Sequence, residues 1–144
     1  MPQIRPIVIS IIQHGGKILV FEGWDDCDQA YFYRPLGGGI EFGETGQQAI
    51  EREMLEEIGA KLTGVRYLFT IENIFRCNGM IGHEIVLAFE AELTDPRLYQ
   101  LGRIEGHEAS GQPLLALWKK LRDFETGEAV LVPEGLLERL LNQP

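Results

Sequence analysis

Residues 45–59 are the most strongly patterned segment of the chain and predict an amphipathic helix around which the rest of the fold must form. Thr45 is suited to cap the first turn, because a threonine side chain can accept a hydrogen bond from a free backbone N–H group. Gly59 is suited to end the helix, because glycine readily adopts the left-handed conformation found there. Runs of β-type residues lie on both sides, at residues 4–13, 18–21, 31–33, 62–74, 83–93 and 114–118. One strong helix among strands predicts a mixed α/β domain with helices packed on a sheet.

The remaining segments predict loops, turns and one more helix. Three successive glycines at residues 37–39 predict a bend at which the backbone closely approaches another group, since they do not sit comfortably in a helix. The Asn-Gly pair at residues 78–79 predicts a turn that joins the two long β-type runs as a hairpin. A polar loop is predicted at residues 23–30, and a polar connection at residues 94–113. A last amphipathic helix is predicted over residues 133–141, with proline in its first turn.

The length and the cysteine content favour a single cytoplasmic domain. The chain has 144 residues, so we expect one domain over residues 1–144. Its apolar runs are much shorter than the roughly 20 residues of a membrane-spanning helix, and its N-terminal segment does not resemble a secretory signal. Cys27 and Cys77 are too few for a disulfide framework, and we expect two free thiols in a reducing compartment.

Negative charge is concentrated around the predicted helix. The chain has 22 acidic and 13 basic residues, a net charge of −9, which argues against an extended nucleic-acid surface. Residues 38–60 alone hold six glutamates and one arginine. Like charges at this density cost stability unless a cation offsets them, and a divalent metal ion is the simplest candidate. A solvated helix face is the alternative interpretation.

Three of these glutamates share one face of the predicted helix. At about 100° per residue, Glu53, Glu56 and Glu57 fall within an arc of about 100°. This arc borders the apolar stripe that begins at Ile50, so the carboxylates lie next to the core. Three carboxylates beside a glycine bend form an oxygen-rich site suited to Mg²⁺ or Mn²⁺, which complete their coordination with water and substrate phosphates.

The fixed residues of this segment resemble the signature box of the Nudix hydrolases. The matching positions are Gly38, Glu44, Arg52, Glu53, Glu56, Glu57 and Gly59. Ala60 departs from the pattern, because the family usually has a larger aliphatic residue there. The resemblance implies an α/β/α sandwich with a mixed sheet, the loop–helix–loop of the box and a C-terminal helix.

The resemblance also implies a chemistry. Nudix hydrolases cleave a phosphoanhydride bond by attack of water, in a nucleoside di- or triphosphate or in a nucleoside diphosphate linked to another moiety. Glu53, Glu56 and Glu57, with the backbone carbonyl of Gly37, are implied to bind Mg²⁺, with Mn²⁺ as an alternative. The metal would offset phosphate charge and lower the pKa of the attacking water.

Further roles follow from the same resemblance. Arg52 is implied to pair with Glu44 or with a ligand carboxylate and to hold it in place, so that Glu44, Arg52, Glu53 and Glu57 form the catalytic set. Arg34, just before the glycines, is expected to contact substrate phosphates together with the backbone of Gly38 and Gly39. The general base is left open among Glu57, Glu84, Glu105 and Glu108.

The sequence also leaves the substrate and the oligomeric state undecided. A small nucleotide is the expected partner, without extended nucleic acid and without a membrane. A hydrolase of ADP-ribose or of nucleotide sugars, and a module that senses nucleotides without cleaving them, are the alternatives. An enzyme acting on RNA ends would need a basic track that the charge pattern lacks. Apolar residues of the predicted hairpin offer an edge for a homodimer, namely Ile71, Ile74, Ile85 and Leu87.

Overall fold

The computed structural model describes residues 2–143, which form nine β-strands, three α-helices and one short 3₁₀ helix. The strands before the first helix are β1 (Ile4–Ile11), β2 (Gln13–His14), β3 (Lys17–Asp25), β4 (Ala30–Pro35) and β5 (Gly37–Gly39). Next come α1 (Gly46–Ile58), β6 (Leu62–Cys77), β7 (Met80–Leu93) and the 3₁₀ helix (Pro96–Tyr99). The last elements are β8 (Arg103–His107), β9 (Pro113–Lys120), α2 (Leu121–Glu125) and α3 (Leu136–Leu141). Within the described residues, no helix is long and apolar enough to span a membrane.

The strands form two sheets that meet between β1 and β3. The first sheet has the order β5-β1-β7-β6, in which β1 and β7 are parallel and the other pairs antiparallel. The second has the order β2-β3-β9-β8, with β4 paired to β3. Ser10 donates from its backbone N–H and its hydroxyl to the carbonyl of Leu36, at 2.8 and 2.9 Å. The N–H of Leu19 donates to the carbonyl of Ile12 at 2.9 Å, so hydrogen bonds join the two sheets.

The sheets lie between two helical layers. Successive residues of a strand point to opposite faces. Val8 and Leu19 therefore pack in the core under α1, whereas Ile7 and Val20 pack in the core under α2 and α3. The helices contribute the buried side chains Ala49, Ile50, Met54, Phe124, Leu136 and Leu140. The predicted mixed α/β fold, an α/β/α sandwich, is confirmed.

Helix α1 begins and ends where the sequence predicts. The Thr45 hydroxyl accepts a hydrogen bond from the N–H of Gln48 at 3.2 Å, and the Gln48 side chain accepts one from the N–H of Thr45 at 2.9 Å. This reciprocal pair satisfies two N–H groups that the helix itself leaves free. Gly59 has φ +67°, and its N–H donates to the carbonyl of Leu55 at 3.0 Å. The glutamates of α1 are thus placed by a helix with fixed ends.

The three glycines form strand β5 and not the predicted bend. Gly37 pairs with Ile9 on β1, and Gly38 pairs with Val8. A Cβ atom on Gly37 would overlap the carbonyl oxygen of Val8. The glycines therefore allow β5 to lie close to β1. Three successive glycines are compatible with a strand as well as with a turn, so the sequence alone did not distinguish the two.

Several boundaries also differ from the sequence predictions. Residues 94–113 contain the 3₁₀ helix and β8, so the prediction of a polar connection is wrong. The sequence did not indicate β8 because this strand is short and buries only every second residue. Strand β3 continues to Asp25, into the predicted loop. Helix α2 was not predicted. Helix α3 begins at Leu136, after Gly135, so Pro133 lies before the helix and not in its first turn.

The two cysteines are joined. Cys27 and Cys77 form a disulfide across a sequence separation of 50, with their Cα atoms 5.8 Å apart. The prediction of two free thiols is wrong. Cys27 lies in the turn between β3 and β4 and Cys77 at the end of β6, so the pairing depends on how two hairpins of different sheets are placed.

Candidate metal and catalytic site

Helix α1 places three carboxylates beside strand β5. The side chain of Glu53 is 14% exposed, Glu57 is 8% exposed as a residue, and the side chain of Glu56 is 53% exposed. A Cβ atom on Gly38 would stand 2.5 Å from the carboxyl carbon of Glu53. Glycine at this position therefore lets the backbone of β5 lie against the Glu53 carboxylate. The structure places Glu53 against Gly38 and near Glu57, and Arg52 links Glu53 to Glu56. Among the described residues, the carboxylate oxygens of the three glutamates do not all lie within 4.8 Å of one another.

Arg52 ties this cluster to the loop before the helix. Its guanidinium donates twice to Glu44, from Nε at 2.7 Å and from Nη2 at 2.9 Å. It also donates to Glu53 at 2.9 Å, to Glu56 at 3.3 Å and to the carbonyl of Gly39 at 3.0 Å. The hydrogen bonds from Arg52 lower the pKa of the Glu44 carboxyl to about 2. Such forked, charge-assisted hydrogen bonds fix orientation as well as charge.

Glu57 is held in an environment that disfavours its negative charge. Burial, and then the nearby charge of Glu53, raise the pKa of the Glu57 carboxyl to about 8, although the charge of Arg34 and then a backbone hydrogen bond from Gly37 act in the opposite direction. The Oε1 atom of Glu57 is buried and has no hydrogen-bond partner among residues 2–143. Burial also raises the pKa of Glu53. A divalent cation would relieve both the lost hydration and the repulsion, so these residues fit a hard metal ion.

Arg34 lies on β4, close enough to Glu57 for their charges to affect each other. Its Nε atom is buried without a hydrogen-bond partner among the described residues, and its guanidinium lies 5.0 Å from the centre of the Phe21 ring. Burial lowers the pKa of Arg34, while the charges of Glu84 and Glu57 act against that shift. A guanidinium whose Nε–H group is buried and unused is suited to bind an anionic oxygen.

The sequence comparison decides the family. The model of the NUDIX domain matches residues 1–133. The chain belongs to the Nudix family. The glycine, glutamate and arginine residues described above are therefore the Nudix box of this protein, and the family predicted from them is confirmed.

The chain is similar to longer curated Nudix proteins. It is 35% identical over 81 residues to the NAD-capped RNA hydrolase NudC of Pasteurella multocida, covering 56% of this chain and 30% of the relative. It is 32% identical to NudC of Actinobacillus succinogenes, covering 68% of this chain and 40% of that protein. The chain thus spans about a third of the length of the curated relatives that it matches.

Solved structures share the fold over most of the chain. The Escherichia coli ORF135 protein is 25% identical, with a TM-score of 0.58 and coverage of 97% of this chain and 90% of that one. A NUDIX hydrolase from Nitrosomonas europaea is 17% identical, with a TM-score of 0.66 and coverage of 96% and 87%. At such identity, the second likeness concerns the fold alone.

The three later glutamates occupy different positions around the Nudix box. Glu84 is buried on β7, where it accepts a hydrogen bond from Asn73 at 3.1 Å and lies 3.9 Å from Arg5. Glu108 follows β8, and its charge affects the pKa of both Glu57 and Arg34. Glu105 lies on β8 and not in the predicted loop.

The direction of the Glu105 side chain separates it from the box. Its neighbour Gly106 packs on the backbone of Glu57, where a Cβ atom would overlap the carbonyl oxygen. Adjacent residues of a strand point to opposite faces, so Glu105 faces away from α1. Of the candidates for the general base, Glu57 and Glu108 are therefore the two best placed, since Glu84 is already engaged by Asn73 and Arg5.

We expect the stability of the metal-free protein to fall as the pH rises from about 5 to about 8. The pKa of Glu57 is about 8 when folded and about 4.3 in an unfolded chain. Between these values the folded state binds the extra proton, so raising the pH disfavours folding until Glu57 ionises in both states.

The Glu57→Gln variant provides the comparison. It lacks the ionisation, so its Tm should exceed that of the wild type by a margin that grows with pH and reaches several degrees near pH 8. Differential scanning calorimetry in EDTA measures this margin. A margin that does not change between pH 5 and 8 would contradict the assigned environment of Glu57.

Proposed function

We propose that this protein is a metal-dependent Nudix hydrolase. It would cleave a phosphoanhydride bond of a nucleoside di- or triphosphate, or of a nucleoside diphosphate linked to another moiety, by attack of water. The observation that carries the proposal is the buried, unpartnered carboxylate oxygen of Glu57, placed beside Glu53 on α1. Retaining such a group is costly for folding and has a clear use as a metal ligand.

The side chains of the box have distinct proposed roles. Glu53, Glu56 and Glu57 would hold Mg²⁺, or Mn²⁺ in its place, with the carbonyl of Gly37 as a further ligand. When bound, the metal would offset phosphate charge and lower the pKa of water. Arg52 would keep Glu53 and Glu56 in position through its hydrogen bonds, and its pairing with Glu44 would keep its own guanidinium in place.

The phosphates of the substrate would contact a positive charge, that of Arg34, in addition to the metal. Arg34 would bind a phosphate oxygen with its unused N–H group, next to the backbone of Gly38 and Gly39. Glu57 or Glu108 would accept the proton of the attacking water. These roles leave the reacting phosphate between the metal ligands on α1 and the guanidinium on β4.

A small nucleotide is the proposed substrate. The net charge of −9 disfavours a long nucleic acid as the partner. The named activity of the NudC relatives, hydrolysis of NAD-capped RNA, favours a dinucleotide pyrophosphate as the first compound to test.

We also propose that one Nudix domain accounts for residues 1–144 and that the protein acts in the cytoplasm. A homodimer would form through the free edge of β6, where Ile74 is exposed. The other residues of the predicted dimer edge do not serve it, because Ile71 and Leu87 pack in the core and β7, with Ile85, lies inside the sheet.

The test is a panel of nucleotides with Mg²⁺, with Mn²⁺ and with EDTA. The panel holds ordinary and oxidised nucleoside triphosphates, nucleoside diphosphates, ADP-ribose, NAD, a diadenosine polyphosphate and a nucleotide sugar. Reactions in ¹⁸O-labelled water locate the bond that is cleaved. We expect metal-dependent cleavage of one class with the label in a phosphate product. Binding of nucleotides without any cleavage would favour a sensing module instead.

Replacing Arg34 with methionine should lower kcat/KM without lowering the affinity for the metal. We expect kcat/KM to fall about 10- to 100-fold, since one charge-assisted contact to phosphate is lost. Metal affinity should not fall, because Arg34 makes no hydrogen bond to the three box glutamates in the described residues and its loss removes a positive charge close to Glu57. Arg97→Met is the matched control, since Arg97 is exposed and, among residues 2–143, its guanidinium is bonded only to Asp95. Equal kcat/KM in both variants would contradict a role for Arg34 in binding.

A further inference from the structure

The end of β3 and the turn after it concentrate negative charge around a cysteine. Asp25, Asp26 and Asp28 surround Cys27 in this segment. Among residues 2–143, none of these three carboxylates forms an ion pair with a basic side chain. Three negative charges within four residues repel one another, so a bound cation would stabilise the segment.

Cys77, at the end of β6, joins this segment from the other sheet. One ligand atom from each of Asp25, Cys27 and Cys77 lies within 4.8 Å of the other two. Within residues 2–143, no other three side chains of histidine, cysteine, aspartate or glutamate meet this limit. The three residues are half-buried and their neighbours in the turns are exposed, so an ion can reach them from solvent.

Hydrogen bonds within the turn hold the Asp25 carboxylate in place. Its Oδ1 atom accepts from the N–H of Cys27 at 2.8 Å and from the N–H of Asp28 at 3.4 Å. The Oδ2 atom has no hydrogen-bond partner in the described chain and is available to a cation. A carboxylate that is oriented through one oxygen and free at the other is well suited to ligate a metal ion.

We propose that Asp25, Cys27 and Cys77 of the reduced protein bind a zinc ion. Two thiolates and one carboxylate are ligands that zinc accepts, and a water molecule would complete a tetrahedral site. Thiolate sulfur selects zinc over Mg²⁺, which prefers oxygen. The site is additional to that of the proposed function and does not rest on it, because the Nudix box lies on α1 and β5.

The Cys27–Cys77 disulfide is the oxidised form of the same pair. A phosphine reductant gives two electrons to the S–S bond and takes up the oxygen of one water molecule, which leaves two thiols and a phosphine oxide. Both thiols release their protons to solvent when zinc binds. Zn–S bonds of about 2.3 Å hold two sulfurs about 3.8 Å apart, against about 2 Å in a disulfide. Rotation of the two side chains can supply this difference.

The test is a titration of the reduced protein with Co²⁺ and then with Zn²⁺. The protein is reduced with a water-soluble phosphine, freed of reductant without air and kept in excess Mg²⁺, which occupies sites made of oxygen alone. Thiolate-bound Co²⁺ absorbs in the near ultraviolet by charge transfer from sulfur, whereas carboxylate-bound Co²⁺ does not. We expect this absorption to saturate at one Co²⁺ per chain and to disappear on addition of one Zn²⁺. The oxidised protein should not show it.

Variants separate the proposed ligands from their neighbours. Cys27→Ser and Cys77→Ser should each abolish the binding of one Zn²⁺ per chain. Asp25→Asn should weaken zinc binding about 10- to 100-fold, as loss of a residue at a metal site does. Asp28→Asn is the matched control, since it removes an exposed charge from the same turn and should change the affinity less than about fivefold.

Several results would overturn the proposal. Two titratable thiols without a charge-transfer band is the first, and a disulfide that the phosphine cannot reduce is the second. One metal ion per two chains is the third, because two molecules would then share the ligands. Equal affinities of Asp25→Asn and Asp28→Asn would remove Asp25 from the site. If reduction unfolds the protein, zinc should restore its circular dichroism, and failure to do so counts against the site. No nucleotide is present, so these failures are distinguishable from that of the proposed function.

Discussion

Glu57→Gln is expected to lower turnover by two to three orders of magnitude while the fold is retained. The change removes one negative charge from the cluster of Glu53, Glu56 and Glu57 and keeps the shape of the side chain. Because Oε1 of Glu57 is buried without a protein partner, little native hydrogen bonding is lost. Nucleotide cleavage under saturating Mg²⁺ and circular dichroism measure the two effects.

The control for this variant is Glu51→Gln on the same helix. Glu51 is exposed, and its side chain accepts one hydrogen bond, from Gln47 at 3.3 Å. It carries the same charge outside the cluster, so its removal should change turnover less than about twofold. If Glu57→Gln were as active as Glu51→Gln, the assignment of Glu57 to the metal site would be wrong.

Gly38→Ala should weaken metal binding without changing any charge. The added Cβ would stand 2.5 Å from the carboxyl carbon of Glu53, so that carboxylate has to move. The atom it meets is the end of a flexible side chain, and the fold can therefore adapt. We expect Mn²⁺ affinity and turnover to fall about 10- to 100-fold, with a small change in Tm. Titration calorimetry and thermal unfolding measure them.

Alanine substitutions at the two neighbouring glycines serve as controls for Gly38→Ala. At Gly37 the added atom would overlap the backbone oxygen of Val8, so Gly37→Ala should lower the free energy of unfolding by about 1–3 kcal/mol. At Gly39 the nearest atom is the carbonyl oxygen of Pro6 at 4.0 Å, and metal affinity should be retained. Unchanged Mn²⁺ affinity in Gly38→Ala would contradict the packing of β5 against Glu53.

Local chemistry made the helix and the Nudix box predictable. Thr45 and Gly59 carry their capping roles in their side-chain type, so the ends of α1 match the prediction. The positions of Glu53, Glu56 and Glu57 on one face follow from the helical repeat. The family and its α/β/α fold were predictable because the box has fixed residue types at fixed spacing. The match of the NUDIX domain model confirms the family.

Long-range placement made the rest unpredictable. The β5 strand depends on its pairing with β1, and β8 on its pairing with β9, which local propensity does not report. The disulfide links positions 50 residues apart on two sheets. The approach of Arg34 to Glu57 also depends on the packing of segments that are distant in sequence. The roles of the site residues and the identity of the metal stay predictions.

Binding of Mn²⁺ tests the central claim most directly. The electron paramagnetic resonance signal of free Mn²⁺ decreases as the ion binds, so a titration reports affinity without a substrate. We expect the wild type and Glu51→Gln to bind at least one ion with the same affinity, and Glu57→Gln to bind it at least about tenfold more weakly. Equal binding by all three proteins, or none by the wild type even with nucleotide present, would contradict a metal site on α1.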